Sequence, residues 1–288
     1  MSGVDYGSVD GVVATLDGPA LRLELDRPAK RNAIDDTMMG GLIDAVDRAG
    51  RDEEVRVIVL SGAGDHFCAG ADIVARNAKP TTVGADAGDG DGDREVRPER
   101  PRVGSIQRRL PALAHRLIPL LLGVQTPVVC RVQGWAAGIG FQLALAADFT
   151  VAAADARFWE PFTERGFTPD SGATWLLPRL AGLARARELL LLGRALDGRE
   201  AADWGLVHRA VTLGDLETET ADLVERLAAG PTVALGLTKW LLLAGHSETL
   251  DAQLHHEALA LELSSRSDDF REGLRAFGEK RPPEFRGR

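Results

Sequence analysis

Two short stretches place glycine beside small residues directly after an apolar run. One is HFCAGADI, where Gly70 precedes Ala71. The other is GWAAGIG, which includes Gly138 and Gly140 and opens a further apolar segment. Small residues let the backbone approach a ligand closely. Amide N–H groups at such a turn or at a helix N-terminus point outward and hold negative charge well. Two such turns on adjacent strands could aim two N–H groups at one oxygen, an oxyanion hole worth about 3 kcal/mol per donor. The same pattern also serves tight strand-to-helix turns that meet no ligand, and the residues alone leave both readings open.

Acids and amides near these turns decide which reactions could follow. Asp170, in TPDSGATW, sits at a loop-to-helix junction, where an acid can exchange a proton with a substrate or simply cap the helix. Glu160 and Glu164 flank Phe162 by two residues on either side. If that stretch is extended, all three side chains point to one face; if it is helical, they do not. Either Glu is otherwise an ordinary solvated acid. Gln142 stands near the head of GIGFQLALAAD, where it can hydrogen-bond but cannot exchange a proton at neutral pH.

Other chemistries find no support. GAGDHF begins like a dinucleotide fingerprint but carries Phe67 where the last glycine belongs. There is no GxxxxGK[ST] phosphate loop and no GxSxG nucleophile elbow. His255, His256 and Glu257 lack HExxH spacing, the six histidines are scattered, and no metal site is expected.

The elements that would position these residues alternate strand with helix. VVATLDG and ALRLELDRP read as a hairpin, and Met39, Leu42, Ile43 and Val46 recur at helical spacing behind Asp35 or Asp36 as N-cap. VRVIVLSG is a buried strand. LPALAHRLIPLLLG and PVVCRVQG form a helix-then-strand unit, and DFTVAAADA is a third strand after the Gln142 helix. That alternation predicts an α/β fold. Residues 77–102, rich in Gly, Asp and Pro, predict a mobile surface loop that either covers a site or is a plain insertion. ARARELLLLG ends at Gly193 as a C′ residue, LVHRAV is a last short strand, and helices follow over about 213–229, 231–245 and 250–265.

The chain has 288 residues, 44% hydrophobic and 27% charged, which suits one large domain or a domain with a smaller appendage. A net charge of −9 argues against broad nucleic-acid binding. Cys68 and Cys130 do not make a disulfide framework and read as reduced, packed thiols. No secretory signal opens the chain, and its apolar runs fall short of the ~20 residues a membrane helix needs. The expectation is a soluble cytoplasmic protein with no membrane partner.

Five ordered blocks resemble the crotonase family, the enoyl-CoA hydratase/isomerase superfamily, over essentially the whole chain. They are LDRPAKRNAIDDTM, HFCAGADI, VQGWAAGIGFQLALAADFTVAAADARF, GFTPDSGATWLLPRLAGLARARELLLLGR with AADWGLVHRAV, and FREGLRAFGEKRPPEF. The resemblance implies a ββα spiral core over 1–211 and a C-terminal helical trimerisation region over 212–288. It implies an acyl-CoA substrate, a thioester enolate intermediate, no tightly bound cofactor besides the CoA of the substrate, and a homotrimer or dimer of trimers.

By the same resemblance the two oxyanion donors are the N–H groups of Ala71 and Ile139, where the family often has Gly in place of Ile139. Lys30, Arg31, Ala33, Ala69, Gly70, Asp72, Ile73, Gly138, Gln142 and Phe162 correspond to positions that bind substrate or CoA. Phe277 and Lys280 correspond to contacts with the adenine and phosphate end. Hydratases carry their catalytic Glu residues at the positions of Gln142 and Phe162, so ordinary hydration is not expected here. Some isomerases and a dehalogenase of the family place a working Asp at the position of Asp170. PDSG.TWLLPR and AFG.KR resemble the ring-epoxide phenylacetyl-CoA isomerases, which points to double-bond isomerisation. Thioester hydrolysis, other enolate chemistry and a non-catalytic acyl-CoA binder are the alternatives. Trp135, Phe141, Trp159 and Phe162 suit either an aromatic acyl pocket or the core.

Overall fold

The computed structural model describes residues 3–72 and 103–288. Ile73 and the 77–102 segment lie outside the described residues. Strands β1 (Val4–Asp5), β2 (Val12–Asp17) and β3 (Ala20–Leu25) are antiparallel neighbours. From β3 onward the large sheet is parallel, through β4 (Val57–Gly62), β5 (Val128–Val132), β7 (Phe149–Ala153) and β10 (Arg209–Val211). A second sheet holds β6 (Trp135–Ala137), β8 (Arg157–Trp159) and β9 (Leu196–Asp197). The path therefore winds: β5 in the large sheet leads to β6 in the small one and then to a helix, and β7 to β8 repeats the turn. This is the crotonase-like spiral.

Helix α1 (Asp36–Ala49) starts at Asp35, whose carboxylate accepts the Met38 N–H at 3.0 Å. Its face of Met38, Met39, Leu42, Ile43 and Val46 is buried and packs on α3 (Ala114–Gly123), which follows the short α2 (Ser105–Arg109). The predicted helix over LPALAHRLIPLLLG is broken at its start, because a 3-10 turn over Leu110–Ala112 precedes α3. Helix α4 (Ile139–Ala146) is buried on every side, as expected of a helix apolar all round. Helices α5 (Ala173–Ala181), α6 (Leu183–Leu192) and α7 (Gly198–Asp203) complete the spiral, and Gly193 closes α6 in the left-handed region.

The other face of the large sheet is covered by α8 (Leu216–Ala228), through a separate cluster of Ala20, Val57, Val59, Val129, Val224 and Leu227. Then come α9 (Thr232–Ala244), α10 (Leu250–Ser264) and α11 (Asp268–Glu279). Lys239 of α9 is buried, and its Nζ donates to Leu121 O at 2.9 Å and to the Asp148 carboxylate at 2.7 Å. It ties the helical region to the spiral. Among the described residues no single helix is long and apolar enough to cross a membrane.

Candidate active site

The segment after β4 runs beside β6. Cys68 N–H donates to Trp135 O at 2.8 Å, Ala137 N–H donates to Cys68 O at 2.9 Å, and Cys68 pairs with Ala136 in parallel. The other edge of this segment is fixed by Ala69 N–H to Arg31 O, Ile34 N–H to Gly70 O and Asp72 N–H to Ile34 O, at 2.8–2.9 Å. Ala71 N–H and Ile139 N–H have no acceptor among the described residues. Ile139 is the first residue of α4, where the N–H groups have no carbonyl behind them.

Both turns depend on glycine. Gly70 has φ +104° and Gly138 has φ +51° with ψ −124°, conformations that side chains strain. A Cβ on Gly138 would stand 4.0 Å from Gly70 Cα, so the two backbones face each other.

Ala69, Gly70, Ala71, Gly138 and Ile139 line one cavity of about 490 Å³. Met39, Leu110, Leu113, Phe162 and Phe167 give it apolar walls, and Asp170 is the one acid among the described residues that line it. Arg109, Arg165 and His115 also border it, and none of them was singled out from sequence. They come from α3, its approach and the 3-10 turn over Thr163–Arg165, segments with no chemical signature of their own.

The candidate acids separate in the fold. Asp170 is half-buried on the cavity, and its Oδ1 accepts from Ser171 Oγ at 2.8 Å. It does not cap α5: the N-cap is Gly172, with no side-chain hydrogen bond. The condition for Glu160, Phe162 and Glu164 to share a face fails, because β8 stops at Trp159 and Phe162 is helical at φ −64°. Phe162 lines the cavity, and its ring meets Phe167 edge-on at 5.5 Å. Glu164 is exposed on the 3-10 turn and does not line the cavity.

Glu160 and Gln142 lie behind the wall, both at 0% exposure, with Gln142 Nε2 donating to Glu160 Oε1 at 2.5 Å. Burial pushes the Glu160 carboxyl well above the usual carboxylate range; the Gln142 bond opposes this and the Asp170 charge adds to it. Phe141 is core, tilted against Phe158 at 5.1 Å. Trp135 and Trp159 pack on each other at 5.9 Å and do not line the cavity.

The remaining positions form two groups. Lys30 Nζ donates to Asp72 Oδ2 at 3.1 Å, and Arg27 donates to the same oxygen at 3.2 Å. Asp72 thus anchors the Ala71 turn to the segment that follows β3. Arg27 also donates to Ala33 O, at 3.0 Å. Arg31 is exposed in the left-handed region. Phe277, 86% exposed, and Lys280 lie at the end of α11 and are not cavity-lining residues.

Among the described residues, the winding strand-strand-helix path brings the Ala71 and Ile139 N–H groups and the Asp170 carboxylate to one apolar cavity. The chain belongs to the enoyl-CoA hydratase/isomerase family, whose sequence model matches residues 19–88 and 108–288. It is 38% identical over 277 residues to the 1,2-epoxyphenylacetyl-CoA isomerase of Escherichia coli (strain K12), covering 96% of this chain and 98% of that one. It is also 38% identical over 266 residues to a protein of Rhodobacter capsulatus named as a probable enoyl-CoA hydratase, covering 92% and 94%. The enoyl-CoA hydratase structure from Polaromonas sp. JS666 superposes with TM-score 0.83 at 31% identity, covering 96% of this chain and 99% of that one.

Proposed function

We propose that this protein is a double-bond isomerase of acyl-CoA thioesters, with Asp170 as its single acid/base. The observation that carries the reading is that Ala71, Ile139 and Asp170 line one apolar cavity, and the resemblance adds that Gln142 and Phe162 correspond to the positions of a hydratase's two acids. In this reading the Asp170 carboxylate takes a proton from a carbon conjugated with the thioester. The electron pair moves onto the thioester oxygen, where the Ala71 and Ile139 N–H groups receive the charge. Asp170 then returns the proton to another carbon of the dienolate. Atoms and charge balance without water, metal or redox partner, and the only cofactor involved is the CoA carried by the substrate.

Binding of the CoA portion is proposed at Lys30 and Arg31, beside Ala33 and the Asp72 anchor. Phe277 and Lys280 serve the adenine and phosphate end, in a homotrimer or dimer of trimers. Exposed Leu250, Leu254, Leu261 and Leu263 on α10 support burial of that region between subunits. The site is proposed to work in the cytoplasm.

The test is turnover of a panel of β,γ- and α,β-unsaturated acyl-CoAs, aliphatic and aromatic, followed by product identification. Movement of the double bond without release of thiol supports the reading. Free CoA, detected with a thiol reagent, would make the protein a hydrolase, and hydration products would make it a hydratase.

A further inference from the structure

Helix α4 is buried on all sides, and Gln142 is its one polar side chain. Its partner Glu160, 18 residues away in sequence, is equally buried. Beyond the 2.5 Å bond from Gln142 Nε2 to Glu160 Oε1, each side chain has one oxygen without a partner among the described residues: Gln142 Oε1 and Glu160 Oε2. No cation pairs with Glu160 among those residues, and the one charge whose field reaches it is that of Asp170, of the same sign. A buried carboxylate with a single donor is costly. A carboxylic acid is not, because its O–H supplies the donor that the amide oxygen lacks. Acid and primary amide then close a ring of two complementary hydrogen bonds, and both orphaned oxygens are satisfied.

We propose that Glu160 is a positioning residue that, as the neutral acid, closes this ring with Gln142 and locks the Pro161–Phe162 wall of the cavity onto the helix that carries the Ile139 N–H. Gln142 lies three residues after Ile139, hence on the same side of α4 one turn along. The bond from Gly138 N–H to Trp159 O, 2.9 Å, already joins the two segments one residue before Glu160. The ring extends that tie into the side chains and sets the spacing between Phe162 and Gly138. It also keeps a second negative charge away from the oxygen on which enolate charge would build. The kinetic consequence rests on the isomerase reading, whereas the protonation state does not.

The test has two arms. Difference infrared spectra of wild type and Glu160→Gln at pH 7 should show a protonated carboxyl C=O band that the variant lacks. Loss of a carboxylate band in its place overturns the proposal whether or not any acyl-CoA is turned over. In kinetics, Glu160→Ala should lower kcat of the folded enzyme by about tenfold or more with KM little changed. Glu160→Gln, which restores two hydrogen bonds, should recover kcat to within about threefold of wild type. A Glu160→Gln enzyme as inactive as Asp170→Asn would make Glu160 a proton-exchanging group and refute the positioning role. A folded Glu160→Ala enzyme at full kcat refutes it as well.

Discussion

Ala71 and Ile139 each stand three residues beyond a member of the Cys68–Ala136 parallel pair. Counting forward from that register brings both free N–H groups level on neighbouring segments. The glycines at 70 and 138 then turn each chain toward the cavity. Gly138→Ala should test this. The cavity has room for the methyl group, since the nearest atoms are 4.0 Å away, but φ +51° with ψ −124° strains any other residue by about 1–3 kcal/mol. The expected outcome is a stability loss of that order in urea unfolding. A fall in kcat of about 10²- to 10³-fold should accompany it, as for loss of one oxyanion donor. Unchanged kcat would mean that the turn does not aim a catalytic donor.

Asp170→Asn keeps the shape of the side chain and its place beside Ser171 but removes the base. Loss of a general base costs about 10²- to 10⁴-fold in rate, so kcat should fall by that factor while affinity for a non-reactive acyl-CoA stays near wild type. Exchange of substrate protons with deuterated water, read by mass spectrometry, should stop in the variant. Continued exchange would move the acid/base role to another group on the cavity, with His115 as the first to examine.

The Lys239–Asp148 pair gives a prediction about the joint between spiral and helical region. Burial pushes the Lys239 pKa down and the Asp148 pKa up, and their mutual attraction opposes both shifts. Removing Lys239 takes one donor from the Leu121 carbonyl and leaves the Asp148 carboxylate with the Val128 N–H at 2.7 Å but no cation beside it. Lys239→Ala should therefore destabilise the fold by about 3 kcal/mol. Lys239→Met, which refills the volume, combined with Asp148→Asn should recover much of that loss. Chemical unfolding of the single and double variants checks this, and simple additivity would mean that the two side chains do not interact.

Much of this architecture is written in periodicity, and some of it is not. In the large sheet β2, β3, β4, β5 and β7 are legible because they are largely apolar runs of five or six residues with turn residues around them. The small sheet is not, because β6, β8 and β9 are two or three residues long, too short to display a period of two. Glu160 illustrates the same limit at the site. Two residues of spacing place it on either face of Phe162 according to the local backbone, and only the helical turn at Phe162 and Thr163–Arg165 sends it into the protein. Its pairing with Gln142 joins residues on different elements, which no local pattern can announce. The glycines and Asp170 were readable because turn chemistry and an isolated acid at a helix start are local signals.

The two buried thiols fix the alkaline limit of stability. Burial raises the Cys68 pKa from 9.0 to about 12 and raises that of Cys130 too. Below pH 9 both thiols stay protonated in the folded and unfolded chain, and the full stability is present. Above that, the unfolded chain releases protons that the folded chain still holds. Stability then falls by up to about 1.4 kcal/mol per pH unit for each thiol until the folded protein also titrates. Tyr6, raised to about 12 by burial and its hydrogen bond to Asp52, adds to the loss above pH 10. Cys130→Ala isolates one thiol without touching the Ala71 turn, where Cys68 Sγ accepts the Gly70 N–H at 3.4 Å. Urea unfolding of both proteins between pH 8 and pH 10.5 should show the variant losing stability less steeply, by about 1.4 kcal/mol per pH unit at the upper end. Parallel curves would mean that Cys130 ionises as easily in the folded protein as in the unfolded one, which a closed core around β5 does not permit.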